Sequence, residues 1–370
     1  MNAVGESSIL LRASARRLGG HTMTDRTVEL RTIEDARVVV LAERSTSSEV
    51  WIVADVGANV ARFRTRVGDT EREILAAPPD IATLRARPTR FGSACLFPYP
   101  GRVAGGAFSF GGRTYQLPTD ARDGHAIHGV VRTRPWEIVA LTADDRGASA
   151  TLHIDTRSAA IPISEWPWPF DLRLVVTLVG GVLRVATTVR NIGGEAMPFG
   201  LGFHPYFPTP FGPAGSQDAC AVWVDADEQW RQSGGLPTGE IVPLGPSGWP
   251  RVATPLGQIV PDVVSAEGPV RNALYRRLAE GPASGPGGMR AGIVDSVNGV
   301  AVSVRASVGF DRTVFFTPPS PAVVSIEPQT CVPNALALAA TSALPTGLEV
   351  LQPGERWNGW FEIMPEALPN

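Results

Sequence analysis

The stretch that decides the fold is residues 171 to 191, which reads DLRLVVTLVGGVLRVATTVRN. Apolar side chains occupy every second position of a first run that begins at Leu172, and the same alternation resumes in a second run at Leu183. Gly180 and Gly181 separate the two runs. A Gly-Gly pair between two alternating runs is typical of a β-hairpin with a primed turn. The stretch therefore predicts two antiparallel strands.

Similar short runs, separated by glycine and proline, fill most of the chain. FSFGGRTYQL repeats the hairpin pattern at Gly111 and Gly112, and the 39 glycines and 33 prolines argue against long helices. The one helical candidate is the short stretch RNALYRRLA at 271 to 279. Many short strands with regular turn signals predict an all-β fold, a large antiparallel β-sandwich or barrel.

Residues 1–25 differ from the rest of the sequence. They contain several arginines but lack the apolar stretch of about 7 to 15 residues that a secretory signal has. We expect a disordered tail or an upstream extension there. The Pro/Gly-rich stretches at 207–216 and 280–290 are short for linkers between independent domains. The expectation is therefore a single domain over 26–370.

The composition excludes several classes of function. A formal net charge of -3 without a long basic run gives no footprint for nucleic acid. All 33 cationic side chains are arginine, which excludes Schiff-base chemistry by lysine. No apolar run approaches the ~18 residues of a spanning helix, so no membrane partner is expected. The three widely spaced cysteines do not resemble a disulfide framework and favour a cytoplasmic location.

His204 lies in the stretch GFHPYF, where Pro205 biases it toward extended backbone. Phe203, Tyr206 and Phe207 are expected to surround it with aromatic surface, which suits the apolar faces of sugars. A histidine in such a place is either a buried structural residue with hydrogen bonds or a proton donor in a carbohydrate pocket. Local sequence leaves both alternatives open.

Glu327 ends the mostly apolar run AVVSIE and precedes Pro328. Ionisable groups rarely end an apolar strand unless they are paired or used, because desolvation is costly. A desolvated carboxyl also has a raised pKa, which would suit a general base. The alternative is a carboxylate that simply emerges into solvent where the strand ends.

His125 and His128, in GHAIHG, are the remaining candidates for metal binding. In an extended strand their odd spacing sends the two side chains to opposite faces, so only one is expected to face a given pocket. No other metal-binding motif is present, and neither a metal nor a cofactor is expected. Arg102, in YPGRVAGG, stands among glycines and could donate hydrogen bonds to ligand hydroxyls, although most single arginines in turns are surface residues.

Taken together and in order, these segments resemble the aldose 1-epimerase (galactose mutarotase) family. The resemblance spans roughly residues 50 to 365, and H-P-Y-F with I-E-P-x-T is its most specific combination. The matching segments are LFPYPGRVAGGAFSFGGRTYQL, HAIHGVVRTRPWEI, GLGFHPYF, LPTGEIVPL, SIEPQTCVPNAL and GLEVLQPGE.

The resemblance implies a β-supersandwich that interconverts the α and β anomers of a free aldose without a metal or an organic cofactor. By this resemblance Glu327 is the base that takes the proton of the C1 hydroxyl, and His204 is the acid that protonates the ring oxygen. His128 and Arg102 carry over as substrate-binding residues. A sugar is then the expected partner, and a non-catalytic carbohydrate-binding sandwich is the alternative of another class.

The chain departs from the family pattern at one substrate-binding position. Where many relatives have an aspartate in an L-D-D-like segment, this chain reads PVRNALYRR, so that Arg271 or Asn272 takes that place. An arginine in contact with the substrate would suit a phosphorylated or otherwise anionic sugar. A surface arginine after a shift in register is the other interpretation.

Overall fold

The computed structural model describes residues 24–265, 268–278, 288–319 and 322–369. Its described residues are mainly strand, which confirms the all-β prediction. Residues 1–23 lie outside the described residues, and the expected tail or extension stays a prediction. None of the helices in the described part is long and apolar enough to cross a bilayer.

The two α-helices are α1 (Ile81–Ala86) and α2 (Ala335–Thr341). The strands are β1 (Arg26–Ile33), β2 (Ala36–Glu43), β3 (Ser48–Val53), β4 (Asn59–Val67), β5 (Thr70–Glu73), β6 (Ser93–Leu96), β7 (Arg102–Val103), β8 (Ala107–Phe110), β9 (Arg113–Gln116), β10 (Ala126–Ile127), β11 (Glu137–Asp144), β12 (Gly147–Asp155), β13 (Phe170–Val179), β14 (Val182–Asn191), β15 (Met197–Phe199), β16 (Gly202–Pro208), β17 (Ala221–Asp225), β18 (Glu228–Ser233), β19 (Leu236–Pro243), β20 (Thr254–Pro255), β21 (Val263–Ser265), β22 (Gly268–Arg276), β23 (Arg290–Asp295), β24 (Val300–Ala306), β25 (Arg312–Thr317), β26 (Val323–Gln329), β27 (Glu349–Leu351) and β28 (Arg356–Ala367).

Two large antiparallel sheets pack face to face. The larger sheet has the order β1-β2-β3-β4-β6-β16-β26-β25-β22-β18-β19, with β5 beside β4 and β21 beside β22. The smaller sheet has the order β11-β12-β13-β14-β28-β24-β23-β17-β20. Apolar side chains of both sheets form one buried cluster, in which Phe203 of β16 and Phe361 of β28 bring their ring centroids within 4.5 Å. The core therefore lies between the two layers.

The predicted hairpin at 171–191 is confirmed. Strands β13 and β14 pair along their whole length, and Val179 opposite Val182 leaves a loop of two residues. Gly180 and Gly181 have φ angles of 59° and 72°, the left-handed region that a primed turn requires and that glycine reaches without strain. The Gly111–Gly112 turn joins β8 and β9 in the same way.

The predicted helix at 271–279 is wrong. Its residues 271 to 276 belong to β22, which pairs with β25 and β18, and residue 279 lies outside the described residues. Ala273 and Tyr275 pack into the main core, whereas Leu274 belongs to a separate apolar cluster on the opposite face. Because both faces of this strand are covered, its sequence lacks the alternation of polar and apolar residues that marks a half-buried strand.

Candidate active site

His204 and Glu327 lie opposite each other on neighbouring strands of the larger sheet. The register of β16 against β26 pairs Gly202 with Gln329 and Tyr206 with Ser325, so His204 faces Glu327 midway between them. Nε2 of His204 lies 3.3 Å from Oε1 of Glu327. The two residues are only 6% and 3% exposed. The glutamate therefore does not emerge into solvent, and the histidine has a carboxyl group as its partner.

The alternation of side chains along β26 explains why a carboxyl group ends an apolar run. Val324 and Ile326 point into the core between the sheets. Ser325, Glu327 and Gln329 share the opposite face, because side chains two positions apart in a strand point the same way. A buried polar stripe thus runs along the face of the larger sheet that is turned away from the smaller one.

Each member of the pair is held by a neighbour on this stripe. Gln329 donates from Nε2 to Oε2 of Glu327 over 2.9 Å, which leaves Oε1 for His204. The Ser325 hydroxyl lies 2.9 Å from Nδ1 of His204 and donates to the carbonyl of Pro205 over 2.9 Å. Buried polar groups with such partners have a defined orientation, so the geometry of the pair is set before any ligand arrives.

Burial shifts the pKa values of the two groups in opposite directions. Desolvation raises the pKa of Glu327 to about 8, against the opposing effects of the hydrogen bonds from Gln329 and Ser325 and the charge of Arg102. Desolvation also lowers the pKa of His204 to about 3. Without a ligand, these shifts place the one exchangeable proton of the pair on Glu327 and leave His204 neutral.

The aromatic surroundings of His204 differ in part from the expectation. Tyr206 stacks on the imidazole with ring centroids 4.7 Å apart, and Phe316 of β25 presents its edge at 6.5 Å. The expectation that Phe203 and Phe207 would also surround the histidine is wrong, since both belong to the core between the sheets. Alternation along β16 sends these odd-numbered neighbours to the other face.

His128 approaches His204 from the segment after β10, with ring centroids 5.5 Å apart. Its φ of 60° is unusual for a residue other than glycine, and its backbone N–H donates to the Gly101 carbonyl over 2.9 Å. The Gly101 N–H donates to Nδ1 of His128 over 3.2 Å. Nδ1 is therefore an acceptor, and in the neutral ring Nε2 carries the hydrogen. This leaves Nε2–H as a donor for a ligand.

His125 does not join this group, as the odd spacing from His128 predicts. Its Nδ1 accepts a hydrogen bond from the backbone N–H of Gly105 over 3.1 Å. In the described part of the chain, no three histidine, cysteine, aspartate or glutamate side chains converge as a metal-binding group would.

Arg102 lies close enough to His128 and Glu327 for its charge to act on both. Its Nε donates to Asp123 over 2.8 Å, and its charge lowers the pKa of Glu327 against the effect of burial. The guanidinium reaches the turn between β18 and β19, where a Cβ added to Gly235 would lie 2.8 Å from Nη1 of Arg102 and 3.7 Å from Nδ2 of Asn272. Arg102 and Asn272 therefore meet beside this turn.

Arg271 and Asn272, the two candidates for the position of the expected family aspartate, occupy opposite faces of β22. Arg271 is 6% exposed and donates to the carbonyls of Ile259 and Leu256 over 2.9 Å and 2.8 Å. Both earlier interpretations of this arginine are wrong, because it is neither in the pocket nor on the surface. Asn272 points to the opposite face, where its side chain lies beside Arg102 and the turn at Gly235.

Comparison with known proteins identifies the family of this chain. The family model described as aldose 1-epimerase matches residues 41–364. The chain belongs to the aldose 1-epimerase family. The match includes both strands that carry His204 and Glu327, together with the segments of His128 and Arg102.

Individual relatives of this family member are distant or match over short segments. The uncharacterized proteins YihR and YphB of Escherichia coli (strain K12) are 38% identical over 115 residues and 32% identical over 136 residues. These segments cover 30% and 36% of this chain and only 34% and 43% of the two relatives' own lengths. A galactose mutarotase-like protein from Clostridium acetobutylicum has a crystal structure with a TM-score of 0.78 at 23% identity, covering 93% of this chain and 99% of that one. This likeness shows that the two proteins share a fold.

Sequence reasoning missed three polar neighbours of the pair in this epimerase family member: Ser325, Gln329 and Arg90. The first two lie two positions before and after Glu327 on one strand, so counting by twos from the glutamate would have found them. Arg90 lies in the irregular segment before β6, and only the folded chain brings it to the hydroxyl of Tyr206. A search for cavities would not have located this pair of residues either, because a cavity of about 660 Å³ lies elsewhere, between the turn at Gly111 and α2.

Proposed function

We propose that this chain is an aldose 1-epimerase that interconverts the α and β anomers of a free aldose by opening and closing the sugar ring. The observation that carries the proposal is the 3.3 Å contact between Nε2 of His204 and Oε1 of Glu327 in a buried site. Mutarotation needs one base and one acid at two oxygens of the same carbon, and it needs no nucleophile or redox centre.

In the proposed reaction the pair first exchanges its own proton. The carboxyl of Glu327 passes a proton to Nε2 of His204 across their contact, which leaves a carboxylate beside an imidazolium. Glu327 then removes the proton of the C1 hydroxyl while His204 protonates the ring oxygen, and the bond between C1 and that oxygen breaks. After rotation about the C1–C2 bond, the ring closes with the two roles reversed, so that protons balance over the cycle.

The remaining pocket residues are proposed to bind the sugar. Nε2–H of His128 and the guanidinium of Arg102 would donate to hydroxyls and stabilise charge on the ring oxygen. Asn272 would contact a hydroxyl in place of the family aspartate, and its amide can both donate and accept. The faces of Tyr206 and Phe316 would pack against the apolar side of the ring.

Polarimetry tests the proposal directly. Fresh α-glucose and α-galactose are followed to their anomeric equilibrium with and without the protein, and acceleration of at least one sugar is expected. Glu327→Gln should lower kcat by at least about 100-fold, because it removes a general base. Glu240→Gln, at an exposed carboxylate of β19, is the control and should leave the rate unchanged.

Two outcomes would contradict the proposal. A Glu327→Gln protein as active as the wild type would show that the acid and base assignment is wrong. If the wild type accelerates no sugar in the panel but binds one by calorimetry, the chain is a carbohydrate-binding module that has kept the pocket.

A second candidate function is mutarotation of an anionic aldose, and the position of Arg90 favours it. This exposed guanidinium hydrogen-bonds the hydroxyl of Tyr206, and after burial its charge is a further cause of the lowered pKa of His204. Arg90 makes no ion pair with the acidic side chains that the structure describes. A cation next to the catalytic pair without an acidic partner suits a phosphate on the sugar.

The two candidates differ in their response to one variant. Arg90→Gln should lower kcat/KM for α-glucose 6-phosphate several-fold more than for α-glucose if the anionic substrate is the preferred one. Arg87→Gln, at an exposed arginine three residues earlier, is the matched control. Equal effects of Arg90→Gln on both sugars would favour the neutral aldose.

A further inference from the structure

We propose that Ser325 is a positioning residue, whose hydroxyl holds the fixed hydrogen of His204 on Nδ1 so that Nε2 is the nitrogen that exchanges a proton with Glu327. The proposal rests on the proposed function for its effect on the rate. Its structural content, the tautomer of His204, can be measured without any sugar.

The Ser325 hydroxyl can donate only one hydrogen bond. A serine hydroxyl has a single hydrogen, and the Pro205 carbonyl, 2.9 Å away, can only accept it. The same oxygen lies 2.9 Å from Nδ1 of His204. Its hydrogen is directed at an oxygen acceptor, the Pro205 carbonyl or the carboxyl of Glu327, so the hydroxyl oxygen accepts from Nδ1. In the neutral ring Nδ1 then carries the hydrogen, and Nε2 has a free lone pair facing Glu327.

The second step is the cost of the other tautomer. To accept from Ser325, Nδ1 would have to draw the hydroxyl hydrogen away from Pro205, and that carbonyl would lose this donor. Ser325 is 0% exposed, so water does not replace the lost hydrogen bond. Loss of a buried hydrogen bond is costly, so the arrangement in the structure is the favoured one.

The third step concerns the other groups that face His204. Tyr206 lies on its own strand, Glu327 on β26, His128 after β10, and Arg90 before β6. The imidazole of His204 has two further hydrogen-bond partners among the described residues, the Ser325 hydroxyl at Nδ1 and the backbone of His204 itself. A backbone carbonyl can only accept, so both contacts favour a hydrogen on Nδ1, and the remaining groups act on the face or on Nε2 of the ring.

The consequence is directional proton transfer. With Nδ1–H fixed, the imidazole accepts the Glu327 proton at Nε2 and later returns it from the same nitrogen. With the hydrogen on Nε2, the neutral ring would have no lone pair toward Glu327 and could not take that proton. Ser325 would thus keep each catalytic cycle starting from the competent form.

The direct test is ¹⁵N NMR of protein labelled at histidine, near neutral pH and without ligand. His204→Asn and His128→Asn assign the two signals by their loss. The expected result is a protonated Nδ1 and a bare Nε2 for His204, with the opposite tautomer for His128, whose Nδ1 accepts from Gly101. A His204 ring that carries its hydrogen on Nε2 would overturn the proposal.

Variants connect the tautomer to the rate. Ser325→Ala should give His204 a mixture of tautomers and lower kcat by about 10-fold to 100-fold with little change in KM, as expected for loss of a residue that orients a catalytic group. Ser325→Cys, which keeps a weak donor and acceptor, should recover part of the rate. Ser93→Ala is the control, since this buried hydroxyl of β6 has no hydrogen-bond partner among the residues that the structure describes.

The outcomes separate the two proposals. An unchanged tautomer and kcat in Ser325→Ala would overturn the role of Ser325 and leave the proposed function intact. A wild type that accelerates no sugar would end the proposed function, while the NMR measurement would still decide the role of Ser325. If Ser325→Ala does not fold, the wild-type tautomer alone decides.

Discussion

At the residue scale, one proton shared by His204 and Glu327 decides what the site can do. Burial favours the neutral form of each group, which lowers the pKa of the histidine to about 3 and raises that of the glutamate to about 8. Between these values the pair holds one exchangeable proton. With the proton on Glu327 the pair is neutral, and with the proton on His204 it is an ion pair. Transfer of the proton across the 3.3 Å contact converts one form into the other.

The proton count predicts the pH dependence of the rate. With one proton on the pair, kcat should be nearly constant from about pH 5 to 7 and should fall above pH 8, where the pair loses the proton that His204 must donate. Initial rates of α-glucose mutarotation, corrected for the spontaneous reaction at each pH, give this profile. A rate that rises steadily through pH 9 would contradict a shared proton.

The sequence identifies His204 and Glu327 better than it identifies the residues that hold them in place. His204 and Glu327 stand in recognisable motifs, and both are found where a buried acid and base pair needs them. Ser325 and Gln329 are ordinary residues in sequence, and their roles arise from the register of β26 against β16. The choice of Asn272 over Arg271 likewise depends on which face of β22 each side chain occupies, and burial of both faces conceals that in the sequence.

At the element scale, the turn between β18 and β19 supports the substrate-binding rim. Ser233 opposite Leu236 leaves Gly234 and Gly235 as a two-residue loop, with φ angles of 60° and 77°. A Cβ at Gly234 would meet open space, whereas one at Gly235 would lie 2.8 Å from Nη1 of Arg102. Both glycines have left-handed backbone, but only Gly235 lies against the Arg102 side chain.

This difference predicts the effects of two alanine variants. Gly234→Ala and Gly235→Ala should each cost about 1 kcal/mol of stability, because alanine is strained in the left-handed region. Gly235→Ala should in addition displace the Arg102 guanidinium and raise KM several-fold with a smaller change in kcat. Thermal unfolding and steady-state polarimetry measure the two effects. Equal KM values for both variants would show that Arg102 does not bind the sugar.

Hairpins were the elements that the sequence predicted best, for a local reason. A Gly-Gly turn between two alternating runs is determined by the local sequence alone, as Gly180 and Gly181 illustrate. The helix predicted at 271–279 failed because the pairing of β22 with β25 is non-local and overrides its propensity. The short helix α2, with four alanines in seven residues, was not predicted although alanine favours helix.

At the scale of the whole molecule, burial of the Glu327 carboxyl group lowers stability, and its proposed benefit is the acid and base chemistry of the site. Glu327 is 3% exposed and lies in the buried polar stripe of the larger sheet, where His204 and Gln329 contact its carboxyl group. The larger sheet supplies His204 and Glu327, the proposed acid and base, from two adjacent strands, while the smaller sheet covers the other face of these strands. The rigid two-layer core thus holds the pair in place without contributing to the chemistry.

The cost of this buried carboxyl should depend on pH, with a sign that the raised pKa fixes. Below its ordinary pKa of 4.5 the carboxyl is protonated in both states, and burial carries no charge penalty. As the pH rises from 4.5 to about 8, the unfolded state ionises while the folded state keeps its proton, so the free energy of unfolding falls. At about 1.4 kcal/mol per pKa unit, the loss of stability is about 3 to 5 kcal/mol.

Glu327→Gln cannot ionise and should therefore avoid this loss of stability. Denaturant unfolding at pH 5, 7 and 9 should therefore show the variant gaining on the wild type as the pH rises, whereas Glu240→Gln should follow the wild type. A difference between Glu327→Gln and wild type that is constant across this range would mean that Glu327 is already ionised in the folded protein.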